Sequence, residues 1–443
     1  MTARPIVICG AGGRDFHNFN CLYRGDPAVR VVAFTATQIP GIDRRRYPAM
    51  LAGPGYPEGI PIVAERELEA LGAAHEIAQV DFAYSDVPHA TVMHLASRAL
   101  SCGADFAIPG PAATMLRASR PVLAVSAVRT GCGKSQIARY LSRELRALGP
   151  RLAVLRHPMP YGDLARQRVQ RFASVADIDA ADCTLEEREE YEPHVAAGNL
   201  LFAGVDYAAV LEQAAREADL ILWDGGNNDF PFVQPDLHVV VVDALRPAHI
   251  RGYHPGEAVL RTADLVVINK VDAAQPEVVS ELRSELEALL PGVPVCSAAS
   301  PVRLDDPDAV AGKRVLVVDD GPTITHGGMP WGAGYVAARA VPGATLVDPR
   351  PFARGGIEEV YRQYPHIGPV LPAVGYSSSQ RAALAATIEA SDAEVVVAGT
   401  PIDFARAVPL DLPGVRARYG YAAAGEPQLL ALVVQRGREQ GWL

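Results

Sequence analysis

The 443-residue sequence predicts an α/β protein of three successive units, and three observations support that class. Apolar β-type runs alternate with helical segments from one end to the other, as sheets joined by helical crossovers require. A glycine turn, Gly10-Ala11-Gly12-Gly13-Arg14-Asp15, follows the first such run. A second, Arg129-Thr130-Gly131-Cys132-Gly133-Lys134-Ser135, stands between an apolar run and a helix-type segment. This length suits two or three domains, placed here at 1–118, 119–310 and 311–443.

In the first unit, strands are expected at 5–10, 29–37, 60–63, 80–86 and 104–110, the rhythm of a doubly wound, Rossmann-like domain. Its turn lacks the third glycine of a dinucleotide fingerprint, and no acidic residue closes the second strand, which argues against NAD. The turn is instead crowded with Arg14, Asp15, His17, Asn18 and Asn20. Such a cluster suits a small anionic ligand; a capped helix start is the alternative.

The second unit carries the chemistry. The strand Val122-Leu123-Ala124-Val125 runs into the turn that closes on Gly133-Lys134-Ser135. Glycines let backbone N–H groups approach phosphate oxygens, and the helix N-terminus adds a favourable dipole. The lysine neutralises phosphate charge and the serine hydroxyl is a ligand for Mg2+. Thr130, Gly131, Cys132, Gly133, Lys134, Ser135 and Gln136 are therefore expected to hold a nucleoside triphosphate. The first glycine of the usual pattern is replaced by Val128, and Arg129 is the nearest cation, expected to reach the γ-phosphate in its own or a partner's site. Asp224 ends the apolar run of LILWDGGNND, the place of a metal-holding carboxylate, so Lys134, Arg129 and Asp224 form the expected catalytic set. Asn269-Lys270-Val271-Asp272 follows another strand and matches a base-reading element; Ser297-Ala298 would back the base. These elements leave ATP or GTP open. Arg156 and His157 leave a strand end as anion contacts, with Asp163 beside Ser135 and Asp224 as a metal ligand. The acidic stretch 177–194 reads first as a solvated helix, with metal holding or gating as the alternative.

Composition excludes some classes. A net charge of −10 and a pI near 5.6 offer no basic stripe for nucleic acid. No apolar run reaches membrane length, and six scattered cysteines suit a reducing, cytoplasmic setting. An anionic substrate would need a locally basic site.

The phosphate loop resembles the deviant Walker A of the dimeric class that includes dethiobiotin synthetase and the ParA/MinD ATPases, with Arg129 near the place of the signature lysine. Taken in order, SAVRTGCGKSQ, RHPMPYGDL, WDGGNND, NKVD, VDDGPTITHGGM and AGTPIDF, with GAGGRDFHNFN ahead of them, look like cyclic 2,3-diphosphoglycerate synthetase and its bacterial relatives. The resemblance covers essentially the whole chain. It implies a homodimeric enzyme that uses ATP and Mg2+ to close an intramolecular phosphoanhydride on a small anionic phosphorylated substrate. A substrate of roughly five negative charges needs cations, for which Arg14, Arg44, Arg45, Arg46, Arg156, His157 and His326 are candidates, with Asp15 and His17 alongside. Thr323, Thr325 and Gly327-Gly328 would supply an anion nest. The rival class is a GTP-dependent switch or metallochaperone, which NKVD and DGG favour. A third reading is a nucleotide-sensing binder without turnover.

Overall fold

The apolar runs become strands that sort into three main sheets. The computed structural model describes residues 3–37, 42–157, 162–226, 229–374 and 378–443. Parts of two motifs above, 158–161 and 227–228, lie outside the described residues.

The first sheet runs, from edge to edge, through Arg46–Tyr47, Ile60–Ala64, Val29–Ala36, Arg4–Cys9, Gln79–Phe82 and Asp105–Ala107. Only the edge pair formed by Arg46–Tyr47 is antiparallel. The central sheet has nine strands, in the order Gln170–Phe172, Leu200–Ala203, Leu152–Arg156, Leu220–Asp224, Val122–Ala127, Leu237–Asp243, Leu265–Asn269, Val295–Ala299 and Ala422–Ala423. Its two outermost strands are antiparallel and the rest are parallel.

Val122–Ala127, Leu237–Asp243 and Leu265–Asn269 are buried at every residue, because helices cover both faces of a parallel sheet. Alternation along the strand splits the core. Leu123 and Val125 pack with Leu141 of the helix Lys134–Ala147, while Val122 and Ala124 face Phe202, Trp223 and Phe232. Each such side chain contributes about 1.5–3 kcal/mol when fully buried.

The third sheet runs Val302–Leu304, Gly414–Tyr419, Val395–Gly399, Arg314–Asp320 and Thr345–Val347, with Leu371–Ala373 also beside Arg314–Asp320. The chain then returns to the central unit. Ala422–Ala423 pairs with Val295–Ala299, and Leu429 and Val433 of the helix Leu429–Glu439 join the central core.

This topology creates the site. The connection that leaves Val122–Ala127 runs to Leu152–Arg156 on one side, while the one that leaves Leu220–Asp224 crosses to Leu237–Asp243 on the other, which opens a crevice at the C-terminal strand ends. Among the described residues, no helix is long and apolar enough to cross a membrane.

Candidate active site

The phosphate loop leaves the strand Val122–Ala127 and ends at Gly133, from which the helix Lys134–Ala147 begins. Gly131 and Gly133 have φ of 81° and 94°, a region that glycine adopts freely. At Gly133 a Cβ would lie 2.1 Å from Asn269 Nδ2, so the close approach of the two loops requires glycine. Asn269 Nδ2 donates to the Cys132 carbonyl at 2.8 Å and Lys270 Nζ to the Gly131 carbonyl at 2.5 Å. Lys270 also pairs with Asp243 at 2.8 Å, and Arg246 joins Asp243 to the Thr130 carbonyl at 2.8 Å. Asn269 and Lys270 thus clamp the loop.

A cavity of about 760 Å³ lies over the loop. Thr130, Gly131, Gly133, Lys134, Ser135, Gln136, Lys270 and Asp272 line it, as the sequence predicts for a nucleotide. Cys132 does not; it is buried, with its sulfur 3.7 Å from Arg246. Ser297 and Ala298 also stay out of the lining: Ser297 accepts from Arg283, and Ala298 is in the core. Ser300 takes that place, donating from its backbone to Asp272 at 2.9 Å and meeting Gln136.

Asp224 is fully buried and surrounded by cations. Lys134 Nζ is 2.5 Å from Oδ1, Arg156 is 3.0 Å from the same oxygen, and His194 Nε2 is 2.8 Å from Oδ2. Burial pushes the carboxyl up, but Arg156 and Lys134 outweigh it and hold it well below the usual range. An ionised carboxylate only accepts, so His194 Nε2 carries the proton and Nδ1 faces the Asn199 amide at 3.2 Å. Burial keeps His194 below its ordinary pKa, as it keeps Lys134 below its own.

Several expected contacts are committed elsewhere. Arg129 is 4% exposed, pairs with Asp86 at 2.5 Å, donates to the His326 carbonyl at 3.0 Å and stacks 3.7 Å from the Tyr253 ring. It ties three parts of the chain together and also lines the larger cavity beside Lys134. Arg156 lines the cavity but is buried between Asp224 and Glu190, the latter at 2.5 Å. Asp163 is exposed, accepts from the Ala165 N–H at 2.9 Å and lines neither cavity described here, so it is not a metal ligand beside Asp224.

A second cavity of about 300 Å³ adjoins the first; Glu186 and Pro322 line both, while Gly225 borders one and Gly226 the other. Arg14, Asp15, Asp86, His157, Asp229 and His326 line it. The cations there are largely neutralised. Arg14 pairs with Asp229 at 3.0 Å and donates to the Phe230 carbonyl. His157 donates to the Gly12 carbonyl at 2.7 Å, and burial lowers it to about 4, so it is a neutral group and not an anion-binding cation. Asp15 accepts from the Gly12, Gly13 and Phe16 N–H groups, and so is engaged by the glycine turn at the start of its own helix. His17 is a core residue, stacked 4.2 Å from Phe232 and donating to the Thr114 carbonyl; it lines neither cavity. His326 is likewise lowered by burial, with Tyr364 3.3 Å away. Arg45 and Arg46 donate to the carbonyls of Gly162, Glu58 and Gly59; the Thr323 and Thr325 hydroxyls donate to Asp320 and to the Gly321 carbonyl, while Thr323 lines the larger cavity and Thr325 the smaller.

The largest departure is the acidic stretch. The helix Leu185–Ala196 is not solvated: Glu186, Glu187 and Glu189 are buried, Glu190 is half-buried, and His194 reaches Asp224. Glu186, Glu189 and Glu190 line the larger cavity with Asp320 from the strand Arg314–Asp320, facing Lys134 and Arg156. Among the described residues no cluster of three or more His, Cys, Asp or Glu side chains forms a ready metal cage.

No protein-family model matches the chain. The arginine synthetase ArcE of Thermococcus kodakarensis is 54% identical over 426 residues, covering 96% of this chain and 95% of that protein. Among solved structures, LpxK from Aquifex aeolicus in complex with ATP aligns with a TM-score of 0.42 at 13% identity, over 78% of this chain and 95% of that one. The hydrogenase maturation factor HypB from Archaeoglobus fulgidus aligns with a TM-score of 0.26 at 16% identity, over 40% and 80%.

Proposed function

This chain belongs to the family of the arginine synthetase ArcE, and on that premise we propose that it forms arginine with ATP as the energy source. The observation that carries the substrate reading is the acidic wall of Glu186, Glu189, Glu190 and Asp320 opposite the phosphate loop. A guanidinium product and an ammonium donor fit such a wall. A substrate of roughly five negative charges would be repelled by each carboxylate of that wall and would depend on Arg139 and Arg303, which line the same cavity. The cyclic 2,3-diphosphoglycerate reaction keeps the same first step, phosphoryl transfer from ATP, but asks the cavity to hold a polyanion against these carboxylates.

The smallest precursor that phosphoryl transfer turns into arginine is its ureido analogue, citrulline. The γ-phosphorus–oxygen bond of ATP breaks and a bond forms to the ureido oxygen, making that oxygen a leaving group. Ammonia then bonds to the ureido carbon, and inorganic phosphate departs with the old carbon–oxygen electron pair and one ammonia proton.

Such transfer depends on positioning and charge neutralisation. The amides of 130–135 and Lys134 would hold the phosphates, with Lys134 exchanging Asp224 for phosphate oxygen. Arg156 and His194 keep Asp224 ionised and fixed during that exchange. Oxygen donors fit Mg2+, which is commonly bound by one or two carboxylates plus substrate phosphates. Ser135, and Asp224 once Lys134 turns to phosphate oxygen, would hold it, and it would supply charge neutralisation at the γ-phosphoryl. The adjoining smaller cavity would take the amino-acid part of the substrate, close to Gly225 and Gly226. A homodimer belongs to the same proposal and is checked by sedimentation.

The test is product analysis with Mg2+ and ATP or GTP, supplying either citrulline and ammonium or 2,3-diphosphoglycerate. Arginine and phosphate formed in equal amounts support the proposal. A new cyclic pyrophosphate signal by phosphorus NMR supports the alternative, and hydrolysis independent of either substrate removes both.

A further inference from the structure

We propose that Glu189 and Asp320 act as one carboxyl pair that binds the incoming ammonium ion and removes its proton. This rests on the arginine-forming reading and assigns it a nitrogen subsite.

The placement starts from two separate elements. Glu189 projects from the helix Leu185–Ala196, and Asp320 ends the strand Arg314–Asp320; both line the larger cavity. Glu189 is 5% exposed, and neither of its carboxyl oxygens makes a well-formed hydrogen bond, although the Asp320 carboxyl and the buried Thr400 hydroxyl lie against it. A buried carboxyl left in that condition calls for a ligand with N–H donors. Other carboxylates nearby are already answered. Asp319 accepts from the N–H groups of Gly332 and Gly334, both at 2.7 Å. Glu190 pairs with Arg156, and Asp224 with Lys134, Arg156 and His194.

The chemistry follows from crowding. Burial raises both carboxyls of the pair; Asp320 raises Glu189 further, while the contact with Glu189 lowers Asp320. Two such groups in apposition share one proton and keep one negative charge. That arrangement presents an acceptor for an ammonium N–H and a base for its proton. Ammonium has no lone pair and cannot attack carbon. Transfer of one proton to the pair leaves ammonia, whose lone pair forms the carbon–nitrogen bond as the carbon–oxygen bond of the phosphorylated ureido group breaks. The proton on the pair passes to solvent after phosphate leaves. Glu186 and Glu190 on the same helix, Asp319 beside Asp320, Tyr419 from the strand Gly414–Tyr419 and Arg139 from the helix Lys134–Ala147 complete the charged and titratable surroundings.

The experiment exchanges the nucleophile. Hydroxylamine is largely uncharged near pH 7 and needs no deprotonation, whereas ammonium does. Wild type, Glu189→Gln and Asp320→Asn are assayed with ATP and citrulline and either nucleophile, with nucleotide affinity measured by calorimetry as a check on folding. Glu189→Gln is expected to lose about 100-fold in kcat/KM for ammonium but less than about 10-fold for hydroxylamine, with Asp320→Asn following the same pattern. Equal losses with both nucleophiles, or no loss with ammonium, overturn the assignment. Wild type that makes neither arginine nor hydroxyarginine overturns the arginine reading itself, a result visible before any variant is made.

Discussion

Lys134 Nζ lies 2.5 Å from Asp224 Oδ1, at the mouth of a strand whose carboxylate has no exposure to solvent. Phosphate oxygens arriving at the loop compete with that carboxylate for one ammonium group, and Arg156 and His194 hold Asp224 when it is released. Lys134→Ala is expected to lower turnover at least about 100-fold, the cost of removing one donor from a charge-stabilising site. The measurement is phosphate release at saturating ATP. Near-full activity would falsify the assignment of the loop.

Arg129 and Asp86, each 4% exposed, form a buried pair 2.5 Å apart between the first unit and the phosphate loop. Removing one partner of such a pair leaves an uncompensated charge and costs about 3–5 kcal/mol. Arg129→Ala is therefore expected to lower the urea midpoint strongly, and Asp86→Ala added to it is expected to recover part of the loss. A γ-phosphate contact predicts the opposite pattern: loss of turnover, with no recovery from the second change.

Asp272 lines the larger cavity and accepts the Ser300 N–H at 2.9 Å. Asp272→Ala leaves that N–H without its acceptor and removes the carboxylate available to a base. The expected result is nucleotide affinity weakened by about 10-fold, from the loss of 1–2 kcal/mol of hydrogen bonding. Calorimetric titration of ATP and GTP against both proteins checks it, and unchanged affinity for both would remove the base-reading role.

The phosphate loop and Asp224 were legible because a buried strand, a glycine turn and a helix follow each other in a fixed order, and the topology then brings the strand ends together. The helix Leu185–Ala196 was not. Its sequence, LEEREEYEPHVA, distributes charge around every side, so no apolar stripe marks the face that turns inward. That face is buried against a polar cavity, a condition periodicity does not register. His194 is hidden in the same helix, and only the meeting with Asp224, 30 residues away, reveals its task. Arg14, Asp15 and Arg129 misled in the opposite sense. They are polar residues at glycine turns, the mark of a ligand site, but Arg14 and Arg129 pair with Asp229 and Asp86 from distant segments, and Asp15 accepts from the N–H groups of Gly12, Gly13 and Phe16.

His17 provides the pH prediction. It is 2% exposed, stacked on Phe232, and burial lowers it to about 3 from the ordinary value of 6.5. Its folded pKa is depressed, so its contribution to stability is complete above the unfolded value and is lost as pH falls. Between pH 6.5 and about 3 the unfolded chain takes up a proton here that the folded chain refuses. This one group then removes about 1.4 kcal/mol per pH unit in that window. His17→Gln keeps a side-chain donor for the Thr114 carbonyl but has no ring to protonate. It is expected to be less stable than wild type at pH 8, through loss of the stacked ring, with the difference narrowing steadily below pH 6. Urea unfolding of both proteins from pH 8 to pH 4.5 measures the difference directly. A gap that stays constant across that range means position 17 does not titrate differently on folding, and acid sensitivity then belongs to other groups.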